Sequence, residues 1–268
     1  MYGEEHKKPL PFKIQMLKFI AQQGIVSIED INRHFYPDRD NSRAIRVTLY
    51  DMGVGHLRYY SPDVKNGVWY IKDLKHYQYL SFWDPEFSYF KVQKPLVHLS
   101  PHYLEINHLR TVIEQDAGLV IKQWLSETWL RSLPPDLRRY YCSAKIPDAI
   151  FYKTNKDGSE KKYFLEYERS LKNSERYVEI FRSYSKREDV TDGSVLYICH
   201  TPHLRNKLIG VMKRESRVGV LDCDSDYFQF LSLEGFYQWG AEEKAKKKDL
   251  DSKPEVKSEA QAEVTQTA

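Results

Sequence analysis

The sequence predicts a mixed α/β protein of the α+β kind, with a helical module closed by a short hairpin ahead of a domain ordered helix, strand, strand, strand, helix, strand. Three observations carry this. Residues 12–50 place apolar side chains at helical spacing, punctuated by glycine and proline. Residues 146–168 hold two short runs rich in aromatic and β-branched residues around an Asp157-Gly158 step, a strong hairpin signal. From residue 170 onward, helical spacing alternates with β-type runs.

In the first module, Ile14, Leu17, Ile20 and Ala21 mark a helix over 12–23 that Gly24 ends. Ser27, with Asp30 three residues on, caps a second helix carrying Ile28, Ile31 and Phe35 and closed by Pro37. A third opens near Asn41 or Ser42. Two short strands follow, 56–60 and 67–71, with 61–66 as the turn. Three helices and a hairpin in this order make a winged helix-turn-helix, whose third helix enters the major groove. Arg43 and Arg46 on that helix, with Lys65 and Asn66 on the wing, are the expected DNA contacts.

Residues 72–100 read as irregular and aromatic, with Tyr77, Tyr79, Phe82, Trp83, Phe87, Tyr89 and Phe90. Such a stretch is too apolar for a free linker. Packing between two domains suits it, as does a platform for unpaired bases. A helix from about Ser100 to Gly118 comes next, then a strand over 119–125 ending near Ser126-Glu127, and a connector at Pro134-Pro135. After the hairpin, a helix is expected over 170–186, a strand over 194–199, a helix over 204–215 and a strand over 218–221. From Ala241 the chain turns to Glu, Lys, Asp, Ser, Gln and Thr, a composition expected to be disordered or a frayed helix. The expected divisions are a flexible start at 1–10, the winged helix at 11–75, an aromatic connector at 76–100, a larger α/β domain at 101–238 and a tail at 239–268.

Composition bounds the function. The net charge is only +3, so affinity for nucleic acid must come from local clustering rather than bulk charge. The three cysteines, Cys142, Cys199 and Cys223, lack metal-type spacing and are odd in number, which suits a reduced, cytoplasmic protein. The opening residues carry no apolar core of an export signal, and no apolar run reaches membrane-spanning length. No glycine-rich phosphate loop appears, so no ATP or GTP site is expected.

The chemistry sits in the hairpin. Alternation along its second strand puts Phe164, Glu166 and Glu168 on one face and Tyr163, Leu165 and Tyr167 on the other. Asp148, at the start of the partner strand, brings a third acid to the same end. Three converging carboxylates repel one another unless a cation neutralises them. Hard oxygen ligands of this kind suit Mg²⁺ or Mn²⁺. A solvated, charged strand edge uses the same residues. Past the acids, Arg169, Lys172 and Arg176 form an expected basic stripe on the next helix, and Glu127 is a weak further candidate. His200 and His203 read as loop residues. The adjacent Tyr140 and Tyr141 offer a nucleophile only weakly among so many tyrosines.

The element order, with Pro147-Asp148 and Glu166-Tyr167-Glu168, resembles the PD-(D/E)XK nuclease core. More widely, the winged helix, His102-Tyr103-Leu104 with Asn107 and Leu109-Arg110, Trp124-Leu125-Ser126-Glu127, Pro147-Asp148-Ala149 and Leu165-Glu166-Tyr167-Glu168-Arg169 resemble the replication-relaxation family, specifically the MobC-type relaxases of mobilisable plasmids. The likeness spans residues 10–235.

That resemblance implies a metal-dependent, site- and strand-specific nick at a plasmid's origin of transfer. Its substrate is double-stranded and partly single-stranded plasmid DNA, with a relaxosome accessory protein and a coupling protein as partners. It assigns Asp148, Glu166 and Glu168 as catalytic acids and metal ligands. The nuclease core usually has Lys where this chain has Glu168, and Lys172 is the expected replacement. The alternatives are a non-catalytic winged-helix accessory protein or replication regulator, and a restriction-like enzyme cutting both strands.

Overall fold

A computed structural model of the chain describes residues 10–57, 67–92, 100–117, 119–142, 145–155, 157–185, 193–217 and 227–251. Helices α1 (Phe12–Gln23), α2 (Ile28–Phe35) and α3 (Ser42–Asp51) precede the antiparallel pair β1 (Gly55–Leu57) and β2 (Val68–Tyr70). Ser27 Oγ accepts the Asp30 N–H at 3.0 Å, and Asp30 Oδ2 accepts the Ser27 N–H at 2.8 Å, closing the expected capping box. Gly24 ends α1 at φ 79°, and an added Cβ there would lie 2.5 Å from Thr128. Left-handed backbone and close approach of a later helix both select glycine.

Helix α4 (Leu74–Ser81) and a 3-10 turn (Pro85–Tyr89) then lead to α5 (Ser100–Thr111), which widens into a π turn (Val112–Asp116). Strand β3 (Ile121–Ser126), short helices α6 (Glu127–Ser132) and α7 (Pro135–Tyr141), and the hairpin β4 (Ala149–Thr154) and β5 (Glu160–Glu168) follow. The chain continues through α8 (Ser174–Ser185), β6 (Gly193–Cys199), α9 (Pro202–Arg217), β7 (Phe228–Ser232) and α10 (Leu233–Asp251).

The main sheet has the order β3-β4-β5-β6-β7. Strand β4 runs antiparallel to both neighbours, while β5, β6 and β7 are parallel. The carboxyl ends of β3, β5, β6 and β7 and the start of β4 therefore meet at one end of the sheet. Both faces are covered. Leu125, Ile150, Phe164, Val195 and Tyr197 join a core with α8, α9, α6 and the helices of the first module. Trp124, Phe151, Leu165, Tyr167 and Ile198 pack against α5 and Phe236 of α10. The first of these cores runs without a break from α1 to the sheet, so helical module and sheet share buried side chains.

Several elements differ from the sequence reading. The stretch read as irregular contains α4, because Tyr77 and Leu80, three apart, bury one helical face. The Pro134-Pro135 connector follows α6 and opens α7, with Pro134 as cap and Pro135 as first residue, and each helix is too short to show a full apolar period. Helix α8 begins at Ser174, so Arg169 and Lys172 precede it and form no stripe with Arg176. The strand read at 218–221 lies outside the described residues, and the fifth strand is β7. Of the tail, read as disordered or a frayed helix, the part to Asp251 continues α10. Its Ala, Glu and Lys have high intrinsic helix propensity. Gly240 lies against Val112, and Lys244 reaches Asp116 at 2.6 Å, tying the polar part to the π turn.

Phe236 is fully buried in the second core. Phe236→Ala should destabilise the protein by about 3–5 kcal/mol, read from urea unfolding; a change within error would detach α10 from the fold. Asp30 gives a pH test. Burial pushes its carboxyl up to about 6, against the opposing hydrogen bonds of Ser27 and Asn107. The folded chain then holds this proton while the unfolded chain releases it. The group's stabilising contribution is complete below about pH 4 and is lost as pH rises through about 6, a decline of roughly 2–3 kcal/mol. Asp30→Asn should remove that decline, and unfolding midpoints for both proteins across this window will show whether the two curves converge.

Candidate functional site

The end of the sheet where the strand termini meet collects the predicted acids. Asp148 stands just before β4. Its N–H donates to Leu165 O at 3.1 Å, and its Oδ2 accepts the Tyr167 N–H at 2.6 Å. The carboxylate thus takes the place of a main-chain acceptor where the ladder ends. Glu166 and Glu168 lie on the same face of β5, one pleat apart, and both are buried. Burying carboxylates is costly unless each is paired.

Each acid has its own cation. Lys145 Nζ lies 3.1 Å from Glu166 Oε2 and also donates to Ile146 O at 2.9 Å. His102 Nε2, from α5, lies 3.2 Å from Asp148 Oδ1. Lys172 pairs with Glu168. The Tyr184 hydroxyl donates to the second oxygen of Glu166. Below these, the Tyr197 hydroxyl is buried within the field of all three acids and has no hydrogen-bond partner among the described residues.

The environments split the acids chemically. Burial pushes Glu166 up to about 7, with Lys145 opposing and the Asp148 charge reinforcing the shift. At Asp148, which is partly exposed, burial is outweighed by the hydrogen bond and charge of His102 and by Lys145, so its carboxyl is held below the usual range. Burial works against the charged forms of His102 and Lys145, and the facing carboxylates outweigh it in both, so both are raised. One acid near neutrality beside one firmly ionised is the arrangement that separates acid and base roles.

The other candidates are distributed as follows. Glu127 opens α6 rather than ending β3. Its N–H donates to Asp148 O at 2.8 Å, while its carboxylate holds Arg131 at 2.6 Å and the Tyr103 hydroxyl at 3.3 Å. Arg169 is exposed just beyond Glu168, within the field of His102. Arg176 is exposed on α8, and its N–H bonds Asn173. Arg43 and Arg46 are exposed on α3, remote in sequence from the acids, while Lys65 and Asn66 lie outside the described residues. His200 follows β6 and hydrogen-bonds the Tyr167 hydroxyl at 3.0 Å; His203 lies on α9.

Sequence reasoning missed Lys145, His102 and Tyr184. Lys145 precedes Asp148 by three residues in a loop without periodicity. His102 falls inside the family-like stretch, but only the fold aims it at Asp148.

Among the described residues, no group of three or more His, Cys, Asp or Glu side chains stands close enough to hold a metal ion as the side chains lie. Each carboxylate is turned toward its own cation. The donors themselves, carboxylate oxygens of Asp148, Glu166 and Glu168, fit a hard divalent ion.

Lys145→Ala strips Glu166 of its cation while leaving it buried beside Asp148. The loss should be about 2 kcal/mol or more, below the figure for fully buried pairs because Lys145 is partly exposed. Adding Glu166→Gln should recover most of it, and urea unfolding of the two variants measures both effects. Comparison with protein-family models, with curated proteins and with solved structures yields no match.

Proposed function

We propose that this chain is a metal-dependent DNA-nicking enzyme of the relaxase kind, acting on one strand at a plasmid transfer origin. The observation that carries this is the meeting of Asp148, Glu166 and Glu168 at one end of the sheet, the two glutamates buried, the aspartate partly so, and each against a basic side chain. The order α5, β3, β4, β5, α8, β6 supports reading residues 101–238 as a PD-(D/E)XK-like core. The order α1, α2, α3, β1, β2 supports reading the first module as a winged helix-turn-helix that carries duplex DNA on Arg43 and Arg46. Open sheets with parallel strands place their ligands outside the carboxyl ends of those strands, where these acids are.

Asp148 and Glu166 would hold Mg²⁺ or Mn²⁺, with Glu168 as a further ligand or as general base. When bound, the ion supplies an acidified water and offsets charge on the scissile phosphate. The chain's own groups do the rest. In the general-base role, Glu168 accepts the proton of the attacking water. Lys172 and Lys145, both beside the acids, bring positive charge to the phosphate in place of the usual motif lysine. Were Glu166 to hold the ion, Lys145, now 3.1 Å from it, would be released to face the phosphate. The accessory and coupling proteins belong to this reading as partners, and the cytoplasm as its location. Among the described residues no helix is long and apolar enough to cross a membrane.

One observation favours a second reading. The pairing of every acid with a protein cation lets the cluster stand as a charge network without metal, as in a non-catalytic DNA-binding accessory protein.

Purified protein should convert supercoiled plasmid carrying the origin to open circles with Mg²⁺ or Mn²⁺. Asp148→Ala and Glu166→Ala should each slow this by roughly two orders of magnitude or more. Variants that nick as fast as wild type would remove the catalytic assignment, and linear product would point to cutting of both strands. Mn²⁺ should raise the melting temperature of the wild type; no rise together with no nicking leaves the accessory-protein reading.

A further inference from the structure

The segment from α4 through the 3-10 turn divides its aromatic side chains in two. Tyr77 and Phe87 go inward and stack on Phe90, with ring centroids 5.3 and 4.9 Å apart. Tyr79, Phe82 and Trp83 go outward and are 48%, 86% and 49% exposed. Spacings of three and four place these three on one outer stripe of α4 and the residues that end it. Lys75, four residues before Tyr79, lies on the same stripe. Among the described residues none of the three packs against another ring. Tyr89, on the turn, is exposed as well.

The core makes no use of these rings. A contiguous exposed apolar surface of this kind marks a contact site. The charges around it select the partner. Lys72, Lys75 and Lys91 are exposed. The acids of the segment are held down: Asp73 lies 3.8 Å from Lys75, Asp84 is bound by Lys18 at 2.7 Å, and Glu86 is half-buried. What faces outward is mainly aromatic and cationic, with Asp73 partly exposed beside Lys75. Helix α7 lies nearby, since Tyr141 feels the charge of Glu86, and it exposes Tyr140 and Arg139, the latter 3.7 Å from the exposed Asp136.

Unstacked rings set among cations suit an unpaired nucleic-acid strand, whose bases stack on the rings while its phosphates meet the lysines. A duplex keeps its base faces hidden and gives the rings nothing to stack on. An apolar protein surface leaves the cations unanswered. We propose that the outer face of α4, the turn after it and α7 bind single-stranded DNA. The choice of DNA rests on the nicking reading above, because a nick frees such a strand; the strand-binding face stands on its own geometry.

The test uses the full chain, a short fluorescein-labelled oligo(dT) and fluorescence anisotropy in metal-free buffer, so that no catalytic step enters. Phe82→Ala/Trp83→Ala should weaken binding by about tenfold or more with its melting temperature unchanged, because both rings are exposed. Tyr140→Ala, on a different element, should weaken it too. Lys75→Glu/Lys91→Glu should flatten the dependence of affinity on salt. Unaltered affinity in the ring variants overturns the proposal. So does tighter binding of the matching oligouridine, and so does self-association of the wild type that the ring variants abolish, which makes a second copy the occupant. Ring-dependent binding without any nicking leaves this face standing and removes the catalytic reading. Nicking by a protein whose ring variants bind oligo(dT) normally does the reverse.

Discussion

Burial of charge at the end of the sheet constrains everything around it. Glu166 and Glu168 occupy positions on β5 whose neighbours on the same face are core residues, Phe164 among them. An apolar side chain at either position would add to that core, so stability alone does not select carboxylates there. Their retention in the fold requires Lys145, Lys172 and the hydroxyl of Tyr184, each delivered by a different segment. Cations drawn from the loop before β4 and the loop after β5, and a phenol from α8, show that the surrounding elements are positioned for the acids. Functional sites commonly carry such locally unfavourable groups, offset by the rest of the structure.

The sheet's two coverings divide the work. The face with α8 and α9 supplies the aromatic wall beneath Glu166, in Tyr184, Tyr197 and Phe181. The face with α5 and α10 supplies His102 to Asp148 from the opposite layer. Asp148 can take partners from both sides because it sits where β4 begins, past the last regular pair of the ladder. Its bond to the Tyr167 N–H fixes the carboxylate in the plane of the sheet rather than on either face. That placement explains why alternation along the strands, which separates Glu166 from Tyr167 cleanly, is a poor guide to Asp148.

The elements legible in the sequence were those with a local signal. The Ser27–Asp30 box, Gly24 and the Asp157-Gly158 turn declare themselves through backbone chemistry that acts over three or four residues. The pairing of β4 with β5 follows from that turn. What stayed hidden depends on distance. Helix α4 is masked by aromatic residues on both its faces, since composition does not say which rings face water. Helix α10 looks like a tail because its apolar anchors, Phe236 and Gly240, occupy only its first turns, while residues 241–246 are mostly exposed and charged. The acids Asp148, Glu166 and Glu168 were legible as a group, yet their partners were not, because Lys145 and His102 carry no spacing that relates them to the hairpin. Asp148 and His102 are 46 residues apart, and only the fold closes that interval.

Helix α5 ties the first module to the acids by geometry that needs no motion. Asn107 Nδ2 donates to Ile25 O at 2.9 Å and to Asp30 Oδ2 at 3.3 Å, so α5 is fastened to the loop and cap that open α2. Five residues earlier on the same helix, His102 faces Asp148, and that interval spans roughly 7.5 Å of axis. Gln115, on the π turn beyond α5, donates to His34 O at the end of α2 at 3.5 Å, and Glu114 meets the His34 ring at 3.4 Å. The first module is thus gripped along the length of α5 and its extension, and the near end of that helix orients the carboxylate of the site. If α3 carries duplex DNA, the position of that duplex relative to Asp148 is set by a rigid helix and buried hydrogen bonds rather than by a flexible linker. A linker would let the two parts sample many separations, whereas a shared helix fixes one, and a fixed separation between the recognised sequence and the cutting site is what strand- and site-specific nicking requires.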